Sequence, residues 1–161
     1  DLAVVERLEG NAGTDFGAPG VPPSADADRG CPAEELDRLE TILRAGWRAF
    51  DAAVEAARGK ALTTGPRGGG RSLEAIVSHV AEAEAAYLRA GGGKAPKAAD
   101  PVAGMAATRE AVIETLRASA AGEVPAKGPR GGVRWTARYF ARRVAWHVIS
   151  HAWEIERRVV D

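Results

Sequence analysis

The chain is poor in the residues that most often advertise a function. It has one cysteine, so no internal disulfide is possible, and the chain reads as intracellular and cytoplasmic. No apolar run approaches the roughly 18–20 residues that a bilayer crossing needs, so no membrane association is expected. The N-terminus lacks the basic start and long apolar segment of a signal peptide. It also lacks an initiator methionine, which leaves open a trimmed start and an upstream domain. Lysine and arginine number 22 and aspartate and glutamate 22, so net charge does not indicate a nucleic-acid surface. Several metal and nucleophile motifs are missing too. A zinc finger needs more cysteines. A zincin needs His-Glu-x-x-His, and position 148 is valine. A ferritin-like di-iron site needs Glu-x-x-His twice, and the residues three before the histidines are Ile76, Val144 and Val148. Nothing resembles a nucleophile elbow.

Against these absences stands one dense stretch, from Arg143 to Ile155. It holds two of the three histidines, His147 and His151, four residues apart. On a helix that spacing stacks both imidazoles on one face. At about 100° per residue, Phe140, Val144, His147, His151 and Ile155 fall in one arc, which is the apolar stripe facing the core. Two imidazoles in an apolar setting need something to share, and a divalent metal is the usual sharer. The one remaining histidine is His79.

The rest of the chain organises around that stretch. Residues 1–31 are rich in glycine and proline and read as an irregular N-terminal arm or linker. Within it Leu2 to Leu8 suit a short strand or a turn of helix, and Phe16 is a candidate to pin the arm down. Residues 32–161 read as a bundle of four long helices. The first opens near Pro32, with Glu34 and Glu35 at its positive end, and carries Leu36, Leu39, Leu43, Trp47, Phe50 and Val54 towards Gly59. The second is capped by Ser72 and ends at Gly91, with His79 at the edge of its stripe. The third opens at Asp100-Pro101 and runs to about Ala121 through Val102, Met105, Val112, Ile113 and Leu116. The fourth follows Thr136 and runs to about Val159. Helices of about 18–27 residues with no strand between them predict an all-α, four-helix bundle. The connections, at roughly 11–15 residues, exceed the ~2–8 usual between neighbouring bundle helices, so at least one is expected to cross the bundle.

Three imidazoles from two facing helices fill three corners of a coordination sphere and leave another for water or substrate, as catalytic sites do. The competing reading is three unrelated histidines satisfied by carbonyls. Glu154, one turn after His151, is the candidate catalytic or orienting carboxylate, and a solvated glutamate is its alternative. A repeat, Gly65-Pro-Arg-Gly-Gly-Gly-Arg71 and Gly128-Pro-Arg-Gly-Gly-Val-Arg134, precedes the second and fourth helices. It reads either as two flexible turns with solvated arginines or as anion or substrate sites built on Arg67, Arg71, Arg130 and Arg134. Trp146, Trp153 and Tyr139 make the fourth helix apolar on a second side, which needs cover from the arm, a loop or a second subunit in a homodimer.

Ser78-His79-Val-Ala-Glu-Ala-Glu in the second helix and Trp146-His147-Val-Ile-Ser-His151-Ala-Trp-Glu-Ile in the fourth resemble the DinB/YfiT-like superfamily over about residues 33–159. The resemblance implies a bundle of up-down-down-up order. It implies a divalent metal, zinc or nickel, held by His79, His147 and His151. It also implies kinship with transferases and isomerases that use a low-molecular-weight thiol (mycothiol, bacillithiol or glutathione), and a dimer. Three functions follow as expectations: a thiol-dependent metalloenzyme acting on a small-molecule substrate, a metal-dependent hydrolase, or a non-catalytic metal-binding or interaction module.

Overall fold

The computed structural model describes residues 2–15, 17–27, 30–64 and 70–160. The described residues are all-helical, with six helices and no strand: α1 (Ala12–Asp15), α2 (Ser24–Ala27), α3 (Ala33–Ala57), α4 (Leu73–Gly91), α5 (Met105–Ala120) and α6 (Ala137–Arg158). None is long and apolar enough to cross a membrane.

The ends of the long helices follow local chemistry. Pro32 precedes α3, with Glu34 and Glu35 in its first turn, and Gly59 leaves it with a φ of +72°. Ser72 accepts the Ala75 N–H at 3.2 Å at the start of α4. Gly92 closes α4 in the left-handed conformation at φ +100°, and Gly93 N–H reaches back to the Leu88 carbonyl. Thr136 accepts the Tyr139 N–H at 3.3 Å and opens α6.

Two expectations need correction. Asp100 does cap a turn, accepting the Ala103 N–H at 2.9 Å, but α5 begins only at Met105. Between them the chain passes so close to Ala98 that a Cβ on Gly104 would sit 2.8 Å from its side chain. The turn runs into α5 through the Gly104 N–H to Asp100 carbonyl and Met105 N–H to Val102 carbonyl bonds, both 3.1 Å, and Val102 is exposed instead of joining the core stripe. Leu2 to Leu8 form neither strand nor helix, and Leu2, Val4, Val5 and Leu8 are all exposed. In an all-helical protein an isolated strand has no edge to pair with. Phe16 lies outside the described residues.

The N-terminal segment meets α6 further along. Tyr139 donates its hydroxyl to the Gly20 carbonyl at 3.1 Å, Thr136 donates to the Asp26 carbonyl at 2.6 Å, and Arg142 pairs with buried Asp26 at 3.0 Å. The arm thus covers Tyr139. Trp146 is half-buried, while Trp153 stays 62% exposed.

The long helices surround one core in which Leu43, Phe50, Ile76, Leu116, Phe140 and Ile155 have essentially no exposed surface. Their mutual placement is pinned by particular pairs. Glu35 of α3 meets Arg138 of α6 at 2.7 Å, and Gly46 of α3 lies against Val148 of α6. His79 of α4 faces His147 and His151, whereas Gly91 at its other end lies against Phe140. Glu84 of α4 meets Arg109 of α5, and Gly93 lies against Thr115. Arg117 and Arg44 tie α5 to α3 through Glu40 and Glu110 respectively.

Candidate metal centre

His79 comes from the second turn of α4, and His147 and His151 from consecutive turns of α6. One ligand-capable atom from each falls within 4.8 Å of the others. The ring centroids of His79 lie 5.0 Å from both partners, and those of His147 and His151 are 4.6 Å apart. The Nε2 atoms of His79 and His147 approach to 3.2 Å. Nitrogens about 2.0–2.1 Å from a tetrahedral zinc stand about 3.4 Å from one another, so the His79–His147 spacing suits a shared ion.

The electrostatics point the same way. His147 is buried, and burial, followed by the charges of His151, His79, Arg143 and Arg71, drives its pKa down to about 3. Burial, then Arg71 and His151, also hold His79 below its usual value, against the opposing pull of Glu82 and Glu154. Neutral imidazoles are the form that binds metal. The Nδ1 of His147 is buried with no hydrogen-bond partner.

Glu154 does not join the ligand cluster. One of its oxygens accepts His151 Nδ1 at 2.7 Å, and the other accepts an Arg158 N–H. That bond leaves Nε2 of His151 for an ion, the arrangement by which carboxylates orient metal-binding imidazoles. Burial acts to raise the pKa of Glu154, but the hydrogen bonds from His151 and Arg158 hold it below the usual carboxylate range. Arg158 is itself anchored on the Thr63 and Arg71 carbonyls, at 2.9 and 2.8 Å. Glu154 also borders a cleft of about 400 Å³ that is walled by Thr63, Thr64 and Trp153.

The described arginines of the glycine-rich repeat take different places. Arg67 lies outside the described residues. Arg71 is exposed beside the α4 N-terminus, close enough for its charge to act on His79 and His147. Arg130 is exposed in the turn before α6, and Arg134 lies against Gly92 at the other end of α4 from His79. Arg134 therefore does not converge on the histidines, whereas the charge of Arg71 reaches them.

Residues given no role by the sequence reading surround His147 instead. The Tyr87 ring stands edge-on to it at 5.4 Å, and Trp135 packs on Tyr87. Arg143 donates to the Tyr87 hydroxyl at 3.3 Å and lies over the rings of Tyr87 and Trp146. Arg143 stands four residues before His147, so the same helical spacing that paired the histidines was a usable signal.

A profile described as the DinB superfamily matches residues 42–155, which span α3 to α6 and all three histidines. The chain belongs to the DinB superfamily. No curated protein and no solved structure is matched. For this DinB protein, family and three-histidine cluster together make a divalent-metal site compatible with the chain, and the donor geometry fits one.

Proposed function

We propose that this DinB protein is a divalent-metal-dependent enzyme in which His79, His147 and His151 hold the ion, zinc or nickel, and the reaction is a thiol-dependent transfer or isomerisation on a small molecule. The observation that carries the reading is the convergence within 4.8 Å of three imidazole donors from two helices, one of them buried and kept neutral. Three protein donors leave a further position open. When bound, the ion supplies Lewis-acid stabilisation of a deprotonated thiol or water. The chain's own residues hold the donors. Glu154 fixes the tautomer and ring direction of His151, and Arg158 fixes Glu154. The Tyr87 ring, backed by Trp135, packs against one side of His147.

The thiol reading is favoured over hydrolysis by Glu154. A hydrolase would need a proton carrier near neutral pH, and this carboxylate has two hydrogen-bond donors and a lowered pKa. Glu154 is thus a positioning residue.

The same proposal includes an up-down-down-up bundle. The Glu35–Arg138 and Gly46–Val148 contacts favour parallel α3 and α6. The His79–His151 and Gly91–Phe140 contacts favour antiparallel α4 and α6. Glu84–Arg109 and Gly93–Thr115 favour parallel α4 and α5. It also includes a homodimer seated on the exposed Trp153 face, for which a monomer in sedimentation is the refuting result.

The test is elemental analysis of untagged protein beside His79→Ala, His147→Ala and His151→Ala. Near-stoichiometric metal that falls in all three variants is expected. Cobalt-substituted protein is expected to change its absorption on adding mycothiol, bacillithiol or glutathione. No metal after reconstitution overturns the site, and no response to any of these thiols overturns the thiol chemistry.

A further inference from the structure

Arginines in the protein interior carry their counter-charge with them. Buried Arg109 pairs with Glu84 and Asp51, half-buried Arg138 with Glu35, and buried Arg158 with Glu154. Arg143 is different. Its Nη2 donates to the Tyr87 hydroxyl, but Nε and Nη1 are buried without a partner. Among the described residues no carboxylate lies within ion-pair distance of it. A guanidinium enclosed without a counter-ion is costly; the Tyr87 and Trp146 rings offset part of that cost, and an anion or water at Nε and Nη1 would relieve the rest. This unmatched cation sits one helical turn from His147, and its charge contributes to lowering that histidine's pKa.

We infer that Arg143 anchors the carboxylate of a small organic substrate whose other end reaches the open position at the three histidines. The inference rests on the metal centre proposed above. A planar guanidinium edge matches a carboxylate. The Tyr87 ring lies 5.4 Å from both the guanidinium carbon and the His147 ring, so the guanidinium stands at most the sum of those two distances from His147 and a short carbon chain spans the gap. A phosphate is the poorer fit at Arg143, because phosphate sites usually combine several cations or a helix N-terminus, whereas Arg134 lies at the far end of α4 from His79 and Arg71 is exposed at the α4 N-terminus. Nε and Nη1 are closed to solvent, and the Trp146 ring lies 5.2 Å from the guanidinium carbon. The anion enters by displacing that indole, which makes tryptophan fluorescence a direct reporter.

The experiment titrates sodium succinate, with acetate and inorganic phosphate for comparison, at constant ionic strength into zinc-loaded and metal-free protein. Saturable binding of succinate, tighter than acetate or phosphate, is expected. Arg143→Met should weaken it at least tenfold without lowering zinc content. Arg143→Lys, which keeps the charge but not the fork, should weaken it several-fold. Unchanged succinate affinity in Arg143→Met, tighter phosphate than succinate binding, or no saturable binding overturns the proposal. If Arg143→Met loses its helical circular dichroism, Arg143→Lys decides, and parental affinity there overturns it. Zinc held at the histidines with Arg143-independent succinate binding defeats this proposal alone. Absence of zinc uptake defeats the metal reading, while Arg143-dependent binding is still read on the metal-free protein.

Discussion

Acidification should destabilise the metal-free protein through His147 in a way that one substitution removes. An unfolded histidine takes a proton near pH 6.5, whereas folded His147 does so only at about 3. Between those values the unfolded chain binds one more proton than the folded chain. Stability therefore rises with pH across this window and is lost as pH falls through it. Deep inside the window the loss is about 1.4 kcal/mol per pH unit. From pH 6.5 to 4.5 it comes to about 2.3 kcal/mol, because the first half-unit is only partly effective. For a chain of this size that is about 5–9 °C in Tm. His79, also lowered, adds in the same direction. Replacing His147 by glutamine removes the titration while keeping a neutral polar side chain. The assay is thermal unfolding by far-ultraviolet circular dichroism, with a chelator present, at both pH values. The parent should lose several degrees more than His147→Gln, since the carboxylates that titrate in acid are common to both. Equal losses would refute the claim that His147 is held neutral by burial. Zinc at 100 times its Kd should add about 2.7 kcal/mol near neutrality, and that increment should shrink on acidification because protons compete for the same nitrogens.

Three further outcomes follow from particular contacts. Glu154→Gln should weaken zinc affinity by about 10–100-fold, read by competition with a chelating dye, and unchanged affinity would remove Glu154 from the site. Arg109→Met leaves Glu84, already pushed up to about 7 by burial despite Arg109, without its partner, and should cost about 3–5 kcal/mol in urea unfolding. Adding Glu84→Leu should recover most of that loss, and a double variant no better than the single one would show that the pair is not a unit. Gly92→Ala should cost about 1–3 kcal/mol, because φ is +100° and the new Cβ would meet Val124 at 2.7 Å, and a neutral result would contradict the left-handed cap.

The long helices were legible because their determinants are local. Apolar residues at helical spacing, Ser72 and Thr136 as caps, and the glycines after α3 and α4 act within a turn or two of themselves. The α5 start is the exception: Asp100-Pro101 is a sound local start and Asp100 does cap a turn, but regular α-helix begins only at Met105.

By itself the sequence determined that His147 and His151 share a face, since 3.6 residues per turn requires it once the segment is helical. It could also nominate His79, as the remaining histidine. Only the tertiary structure brought that residue, 68 positions away, to 3.2 Å from His147, because no local rule measures the distance between packed helices. The fold also gave Glu154 to His151 and set Arg134 at the opposite end of α4 from His79. Arg143 shows the division most sharply. Its spacing from His147 is written in the chain, but the absence of a counter-charge depends on which helices surround it, and that is a property of packing alone.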